Sequence, residues 1–187
     1  MTDKHHTAVE ETLTRLEADY ETVLTRTTEW RIDHETYEQT RERAVAGTVG
    51  GAGAWVRQVV DGTPQALLVR EHDANGWSEP AGKQEPGERL ETTARRETCE
   101  ETGVDCRLTG VRLATRAIHT HPDRPRLHRL LVVFNAVPAA DGADTTGDDP
   151  VALDPRESEI DTARWVDEHP ESLRYDAVGS FPITTPE

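Results

Sequence analysis

The first regular pattern along the chain is a stripe of apolar side chains at steps of four and three residues. The stripe consists of Val9, Leu13, Leu16, Tyr20 and Val23. Such steps keep successive side chains on one side of a helix, so the pattern predicts an amphipathic helix. A second, weaker helical pattern covers residues 34–45, and we interpret residues 1–46 as a helical N-terminal extension.

Two interpretations of this extension are open. Its apolar stripe could serve as a homodimerisation arm or as a lid over a neighbouring site. It could equally pack on its own domain, which is the more common use of an amphipathic helix. We favour the second interpretation.

The pattern changes after residue 46. A glycine-rich run at 47–53 marks a boundary, and short strand-like runs follow it. We predict strands at 54–60, 65–70, 107–118, 127–137 and 160–166, a helix at 88–102 and one short helix in the tail. Two strands, a helix, further strands and a last helix predict a mixed α/β domain over residues 47–187. The Asp-, Gly- and Thr-rich stretch 138–155 predicts a mobile loop.

Charge narrows the possible partners. The chain of 187 residues carries 36 acidic against 21 basic residues, a net charge of −15, and Lys4 and Lys83 are its lysines. This field repels nucleic-acid polymers and anionic membranes, so we expect neither as a partner. An acid-rich, lysine-poor composition resembles that of halophilic archaeal proteins, whose concentrated salt screens such charge.

The expected cellular compartment follows from features that the sequence does not contain. No run approaches the roughly 18 apolar residues of a spanning helix, and the first residues show no apolar signal core. The cysteines, Cys99 and Cys106, form no disulfide framework. We therefore expect a cytoplasmic protein.

The segment from Gly82 to Val104 carries the candidate chemistry. Glu97, Glu100 and Glu101 are spaced i, i+3 and i+4, so a helix places three carboxylates on one face. An acidic helix can be merely solvated. A hard divalent cation would instead convert the repulsion into coordination, because Mg²⁺ and Mn²⁺ prefer oxygen ligands. Arg96 is positioned to hold Glu97 or Glu88 by a bidentate pair.

The complete segment resembles the Nudix box, G-x5-E-x7-R-E-U-x-E-E-x-G-U. Eight of the nine defined positions match: Gly82, Glu88, Arg96, Glu97, Glu100, Glu101, Gly103 and Val104. Thr98 is the departure, because the family has an aliphatic residue there. The resemblance implies a Nudix-like α/β (α+β) fold, a mixed-sheet α/β/α sandwich to which the N-terminal helices are added.

The same resemblance implies a function. A Nudix hydrolase cleaves a pyrophosphate bond in a nucleoside diphosphate linked to another group, with Mg²⁺ or Mn²⁺ as cofactor. By motif position Glu97, Glu100 and Glu101 are the metal ligands, Glu88 is a supporting ligand and Arg96 orients the carboxylates. Members of the family place the general base either in the box or on the loop before the last strand. Glu157 and Glu159 are the loop candidates here.

The substrate has to meet positive charge on an acidic protein. Arginines in predicted strands could bind its phosphates, and the candidates are Arg57, Arg70, Arg116 and Arg129, with Gly82 as a close backbone approach. Trp77 or Trp165 could stack a base, although burial is the more common use of tryptophan. We interpret His119, His121 and His128 as polar strand and loop residues rather than zinc ligands.

The sequence gives weaker support to a narrower substrate class and to rival functions. Pro80-Ala81-Gly82, with Pro122 placed 18 residues after Val104, resembles ADP-ribose pyrophosphatases. A Nudix-like nucleotide sensor usually has eroded glutamates, which this box does not. An isomerase on the same fold needs cysteine and acid motifs that Cys99 and Cys106 do not match.

Overall fold

The computed structural model describes residues 2–139, 149–155 and 160–185. Within them the helices are α1 (Thr2–Asp19), α2 (His34–Val45) and α3 (Leu90–Thr102), with a short 3-10 turn at Val178–Ser180. The strands are β1 (Thr25–Arg31), β2 (Gly50–Val60), β3 (Thr63–Glu71), β4 (Ala81–Lys83), β5 (Cys106–His121), β6 (Arg124–Pro138) and β7 (Ile160–Val166). Every predicted helix and strand is present, and the predicted mixed α/β fold is confirmed.

The strands form a mixed sheet in the order β1-β5-β6-β2-β3-β7. Strand β2 connects its two halves. The first part of β2 runs parallel to β6 and antiparallel to the short β4, whereas its last four residues pair antiparallel with β3. Strand β4 is thereby held against β2 immediately before α3, at the edge where the acidic segment begins.

Most of the glycine-rich run lies in a packed strand. Gly50 and Gly53 belong to β2 and are buried. A Cβ on Gly50 would lie 1.7 Å from the carbonyl oxygen of Leu130, and one on Gly53 would lie 2.4 Å from the Cβ of Ala81. Glycine is required here because neighbouring strands approach too closely for a side chain.

Residues 2–46 are part of the same core. Val9, Leu13 and Leu16 of α1 are at most 1% exposed and pack on the sheet together with Leu90 of α3. The favoured interpretation, a helix packed on its own domain, agrees with this burial, which also makes the stripe unavailable to a second chain. Ion pairs join the polar side of α1 to the domain, since Arg15 binds Glu91 at 2.6 Å.

The prediction of helices alone missed β1. This strand pairs in parallel with β5 at the edge of the sheet. Its sequence, TRTTEWR, is largely exposed and lacks the apolar alternation by which a half-buried strand is recognised. Strand β4 was missed for a related reason, because a three-residue strand between turns carries no periodicity.

Helix α3 is oriented by its apolar side. Leu90 and Ala94 pack in the cluster beneath α1, so the opposite side of the helix faces β4. The helix ends at Gly103, which adopts the left-handed conformation (φ 75°) that glycine favours. No helix among the described residues is long and apolar enough to cross a membrane.

Candidate active site

The guanidinium of Arg96 lies among three of the predicted metal carboxylates. Its Nε donates to Glu88 at 2.8 Å, and its Nη1 donates to Glu97 at 2.9 Å and to Glu100 at 3.3 Å. Its Nη2 donates to Glu88 at 3.1 Å and to the Lys83 carbonyl, also at 3.1 Å. Arg96 therefore contacts all three carboxylates and offsets part of their negative charge.

Glu88 is the most strongly held of these acids. Besides Arg96, its carboxylate accepts hydrogen bonds from Thr93 Oγ1 at 2.9 Å and from the Glu85 backbone N–H at 3.0 Å. These donors, the arginine above all, lower the pKa of Glu88 to about 2. The Glu88 carboxylate is therefore ionised throughout the physiological range.

Glycine at position 82 makes room for Glu97. A Cβ at this position would lie 2.1 Å from the carboxyl carbon of Glu97 and within 2.3 Å of both its oxygens. One helical turn further, Glu101 accepts a hydrogen bond from the Ala81 backbone N–H at 3.0 Å. Both glutamates are more than 90% buried, so β4 and α3 fix two carboxylates side by side.

Thr98, the one departure from the motif, is fully buried. Its hydroxyl donates to the Ala94 carbonyl at 2.7 Å, four residues back along the helix. The hydroxyl is thereby satisfied without disturbing the neighbouring glutamates. Thr98 is a core residue, and the presence of threonine in place of the family's aliphatic residue leaves the arrangement of the carboxylates intact.

The donor set fits a hard divalent metal ion. All the candidate side chains offer oxygen, two lie against β4, and the missing Cβ of Gly82 is what lets the Glu97 carboxylate approach the strand. The described residues hold no group of three His, Cys, Asp or Glu side chains already in chelating geometry. Arg96 stands among the carboxylates instead, so metal binding requires it to yield part of its contacts.

Several predicted phosphate ligands are engaged elsewhere. Arg116 faces α1 and pairs with Glu10 at 2.9 Å, and Arg57 donates to the Thr184 hydroxyl at 3.0 Å. Arg70 pairs with Asp161 across β3 and β7 and lies over the Trp77 ring. The structure therefore does not bring Arg57, Arg70 or Arg116 to the carboxylates.

Other predicted residues have structural contacts or lie beyond description. Trp77 is buried, and Trp165 donates from Nε1 to the Val151 carbonyl at 2.9 Å. The loop candidates Glu157 and Glu159, and residues 140–148 of the predicted mobile stretch, lie outside the described residues. Residues 149–155 have no regular secondary structure, and the Asp154 N–H donates to the Thr102 carbonyl at 2.8 Å.

Two features near the site were not found from the sequence. Glu79 is a buried acid whose Oε2 has no hydrogen-bond partner, and burial raises its pKa to about 7. Arg43 of α2 donates from Nη2 to the Gln84 carbonyl at 2.9 Å. The glutamate lies in a turn and the arginine on a helix of the extension, so no motif or periodicity indicated either.

Comparisons with known proteins agree with this geometry. A family model described as "NUDIX domain" matches residues 47–180. A NUDIX hydrolase from Nitrosomonas europaea has a TM-score of 0.50 at 18% identity, over 71% of this chain and 66% of that one. An Ap4A hydrolase from C. elegans, a binary complex, has a TM-score of 0.49 at 17% identity, over 71% of this chain and 90% of that one. No curated protein matches the chain.

The family match spans the whole site. It covers β2, β4 and α3, and therefore both the glutamates and the strand against which they are anchored. The structural similarity supports the fold, and the family match supports the enzymatic class. The chain belongs to the Nudix family and is a Nudix-type pyrophosphohydrolase.

Proposed function

We propose that the protein is a metal-dependent hydrolase that cleaves a pyrophosphate bond in a nucleoside diphosphate linked to another group. The observation that carries this proposal is the Arg96-centred cluster of Glu88, Glu97 and Glu100 beside Gly82 and Glu101. Carboxylates gathered on one helix face and held in fixed rotamers are suited to Mg²⁺ or Mn²⁺.

Each residue has a separate part in this proposal. Glu97, Glu100 and Glu101 would hold the metal, and Glu88 would support it through Arg96. A bound Mg²⁺ or Mn²⁺ would neutralise charge on the phosphates and lower the pKa of an attacking water. Arg96 would orient the carboxylates, while the missing Cβ of Gly82 leaves room for the Glu97 carboxylate against β4.

The attacking water also needs a proton acceptor. We propose Glu157 or Glu159 of the loop before β7, with Glu97 as the alternative inside the box. The variants E157Q and E159Q separate these candidates. If the base lies on the loop, one of them lowers kcat with little effect on KM and the other leaves both unchanged. If both are silent, Glu97 remains as the candidate.

The test of the function is hydrolysis of a substrate panel with Mg²⁺, with Mn²⁺ and with EDTA. The panel contains ADP-ribose, a nucleotide sugar, a dinucleoside polyphosphate and a nucleoside triphosphate. The Pro80-Ala81-Gly82 turn resembles that of ADP-ribose pyrophosphatases. If this resemblance extends to the substrate, ADP-ribose or the nucleotide sugar is preferred. We expect metal-dependent release of a nucleoside monophosphate or its equivalent.

Matched variants complete this experiment. E100Q and E101Q should each lower kcat by about 100-fold or more while the protein stays folded, because each removes a metal ligand. E17Q on the exposed side of α1 removes the same charge away from the site and serves as the control. Unchanged hydrolysis in both E100Q and E101Q would refute the assignment. Nucleotide binding without turnover would instead show a sensor.

A further inference from the structure

A second cluster of charged side chains lies on the face of the sheet opposite α1 and α3. Leu130 packs against α1, so its neighbour Arg129 points to the other face of β6. Arg116 pairs with Glu10 of α1, so His119, three residues further along β5, also points to the other face. Arg43 approaches from α2 and interacts electrostatically with Arg129. We call Arg43, Arg129 and His119 the cationic cluster.

The positive charge of this cluster has no acidic partner. Among the residues that the structure describes, neither Arg129 nor Arg43 forms an ion pair with a carboxylate. Burial and the proximity of Arg43 lower the pKa of the Arg129 guanidinium. This is notable in a chain with 36 acidic residues. Buried arginines are normally paired, because desolvating an isolated charge is costly.

Two buried nitrogens of the cluster also lack hydrogen-bond partners. They are Nε of Arg43 and Nδ1 of His119, and the His119 side chain belongs to a residue only 5% exposed. Burial and Arg129 lower the pKa of His119 to about 4, so the imidazole is neutral at pH 7. A neutral imidazole can carry its proton on Nδ1 and donate it to an acceptor. Native structures rarely leave such groups unsatisfied, so these two nitrogens are candidate donors to a ligand.

The cluster borders the carboxylate site through the segment that follows β4. Arg43 donates to the carbonyl of Gln84, and Arg96 donates to the carbonyl of Lys83, the preceding residue. The cationic cluster and the carboxylate cluster therefore bind consecutive peptide groups of the same segment.

We propose that Arg43, Arg129 and His119 form an anion subsite that holds a phosphate group of the substrate next to the metal site. Two guanidinium groups and one imidazole N–H offer several donors from different directions, which matches the oxygens of a phosphate better than a single-atom anion. The exposed ring of Trp30, 5.7 Å from the His119 ring between centroids, flanks the subsite. The assignment of the phosphate to a substrate rests on the proposed hydrolase function.

The first test measures binding without metal or turnover. Thermal unfolding is followed in EDTA with increasing inorganic tripolyphosphate, at an ionic strength held constant with KCl. We expect the polyphosphate to raise the Tm of the wild type saturably, because it binds the folded state. R129Q should begin at an equal or higher Tm, since it removes an uncompensated buried charge, and should show at most a tenth of the wild-type affinity for tripolyphosphate.

Matched variants make this result specific. R107Q removes an exposed arginine of the same strand pair at the far end of β5, where Arg107 pairs with Val137, and should respond like the wild type. R43Q should reproduce the loss seen in R129Q, and R129K should recover part of the affinity. An equal response to tripolyphosphate in the wild type, R129Q and R43Q would overturn the subsite.

The second test is kinetic and uses the best substrate of the panel. R129Q should raise KM at least 10-fold and change kcat less than threefold, because the subsite binds a group that is not reacting. Loss of tripolyphosphate binding with an unchanged KM would show a site for free anions and overturn the substrate assignment. If no substrate is hydrolysed, the proposed function fails, while the metal-free binding test still decides the subsite.

Discussion

The carboxylate cluster (Glu88, Glu97 and Glu100 around Arg96) and the cationic cluster differ in whether their charges are paired. In the carboxylate cluster one guanidinium, Arg96, contacts Glu88, Glu97 and Glu100. In the cationic cluster Arg129 interacts electrostatically with Arg43 and with a neutral His119, and neither arginine pairs with a carboxylate of the described residues. The carboxylates thus share a cationic partner, whereas the two arginines have no acidic one among the described residues, although both clusters donate to neighbouring carbonyls of the same segment.

This difference teaches how an acidic protein can bind an acidic ligand. The net charge of −15 opposes the approach of any anion, and only a local excess of positive charge reverses that. Arg96 holds the acids of the first cluster in place and leaves them a net negative charge for a cation. The second cluster keeps its positive field free for an anion. The charge of each cluster, rather than that of the whole chain, therefore indicates the ligand.

Removing Arg96, the cationic partner of the carboxylates, should have the largest effect on turnover. R96M deletes the cation that holds Glu88, Glu97 and Glu100, so these like charges repel one another. We expect kcat to fall by about 100-fold, and the free energy of unfolding in EDTA to fall by about 2 kcal/mol. Steady-state kinetics and denaturant unfolding measure the two effects. R95M, which removes the exposed preceding arginine, is the control. A variant R96M with wild-type turnover would contradict the role of Arg96.

Displacing one carboxylate without changing any charge should have a smaller effect. In G82A the new Cβ would stand 2.1 Å from the Glu97 carboxyl carbon, so this side chain must move. We expect kcat to fall by about 10-fold because the carboxylate leaves its orientation against β4. G110A is the matched control, since its Cβ would meet nothing nearer than Asn135 Nδ2 at 3.6 Å. Equal activities of G82A and G110A would show that the contact with Gly82 is unimportant.

The pKa of Glu79 contrasts with that of Glu88, an acid that Arg96 contacts. Its pKa is raised to about 7 by burial, whereas that of Glu88 is lowered to about 2 by Arg96. In the unfolded chain Glu79 ionises near its ordinary pKa of 4.5. The folded state is therefore not penalised by Glu79 below pH 4.5, and it loses stability as the pH rises from there through 7. The loss approaches about 3 kcal/mol.

The variant E79Q removes this ionisation. Relative to the wild type it should gain stability as the pH is raised from 5 to 8, measured by urea unfolding at each pH. E17Q, an exposed acid on α1, should show no such trend. A difference between wild type and E79Q that is constant from pH 5 to 8 would show that Glu79 stays unprotonated in the fold at little cost.

Screening of the surface charge by salt should have the smallest effect, and this effect is on the Tm. If the acidic, lysine-poor surface is an adaptation to salt, self-repulsion destabilises the fold at low ionic strength. We expect the Tm to rise by about 3 °C between low and molar KCl, which corresponds to about 1 kcal/mol for a chain of this size. Differential scanning calorimetry measures it. A Tm that does not rise with KCl would remove the halophilic interpretation and leave the enzymatic one untouched.

Periodicity and motif spacing were sufficient for most of the fold. The stripe of α1, both other helices and five strands were predicted because each buries a regularly spaced set of side chains. The strands β1 and β4 were missed because their stability comes from backbone pairing with β5 and β2, which leaves no periodic trace in their own residues. The strand residues Gly50 and Gly53 were not predicted as part of β2, because glycine serves both close packing and flexible turns.

The sequence by itself determined the family, the helix that carries the acids and the identity of the candidate ligands, since these depend on residue types at fixed local spacing. Only the tertiary structure decided which arginines are paired with acids. Arg70 and Arg116 looked equal to Arg129 along their strands, yet Asp161 and Glu10, 91 and 106 residues away in the chain, pair with the first two. Charge compensation is a property of distance in space, and long-range pairing sets that distance through the packing of separate elements.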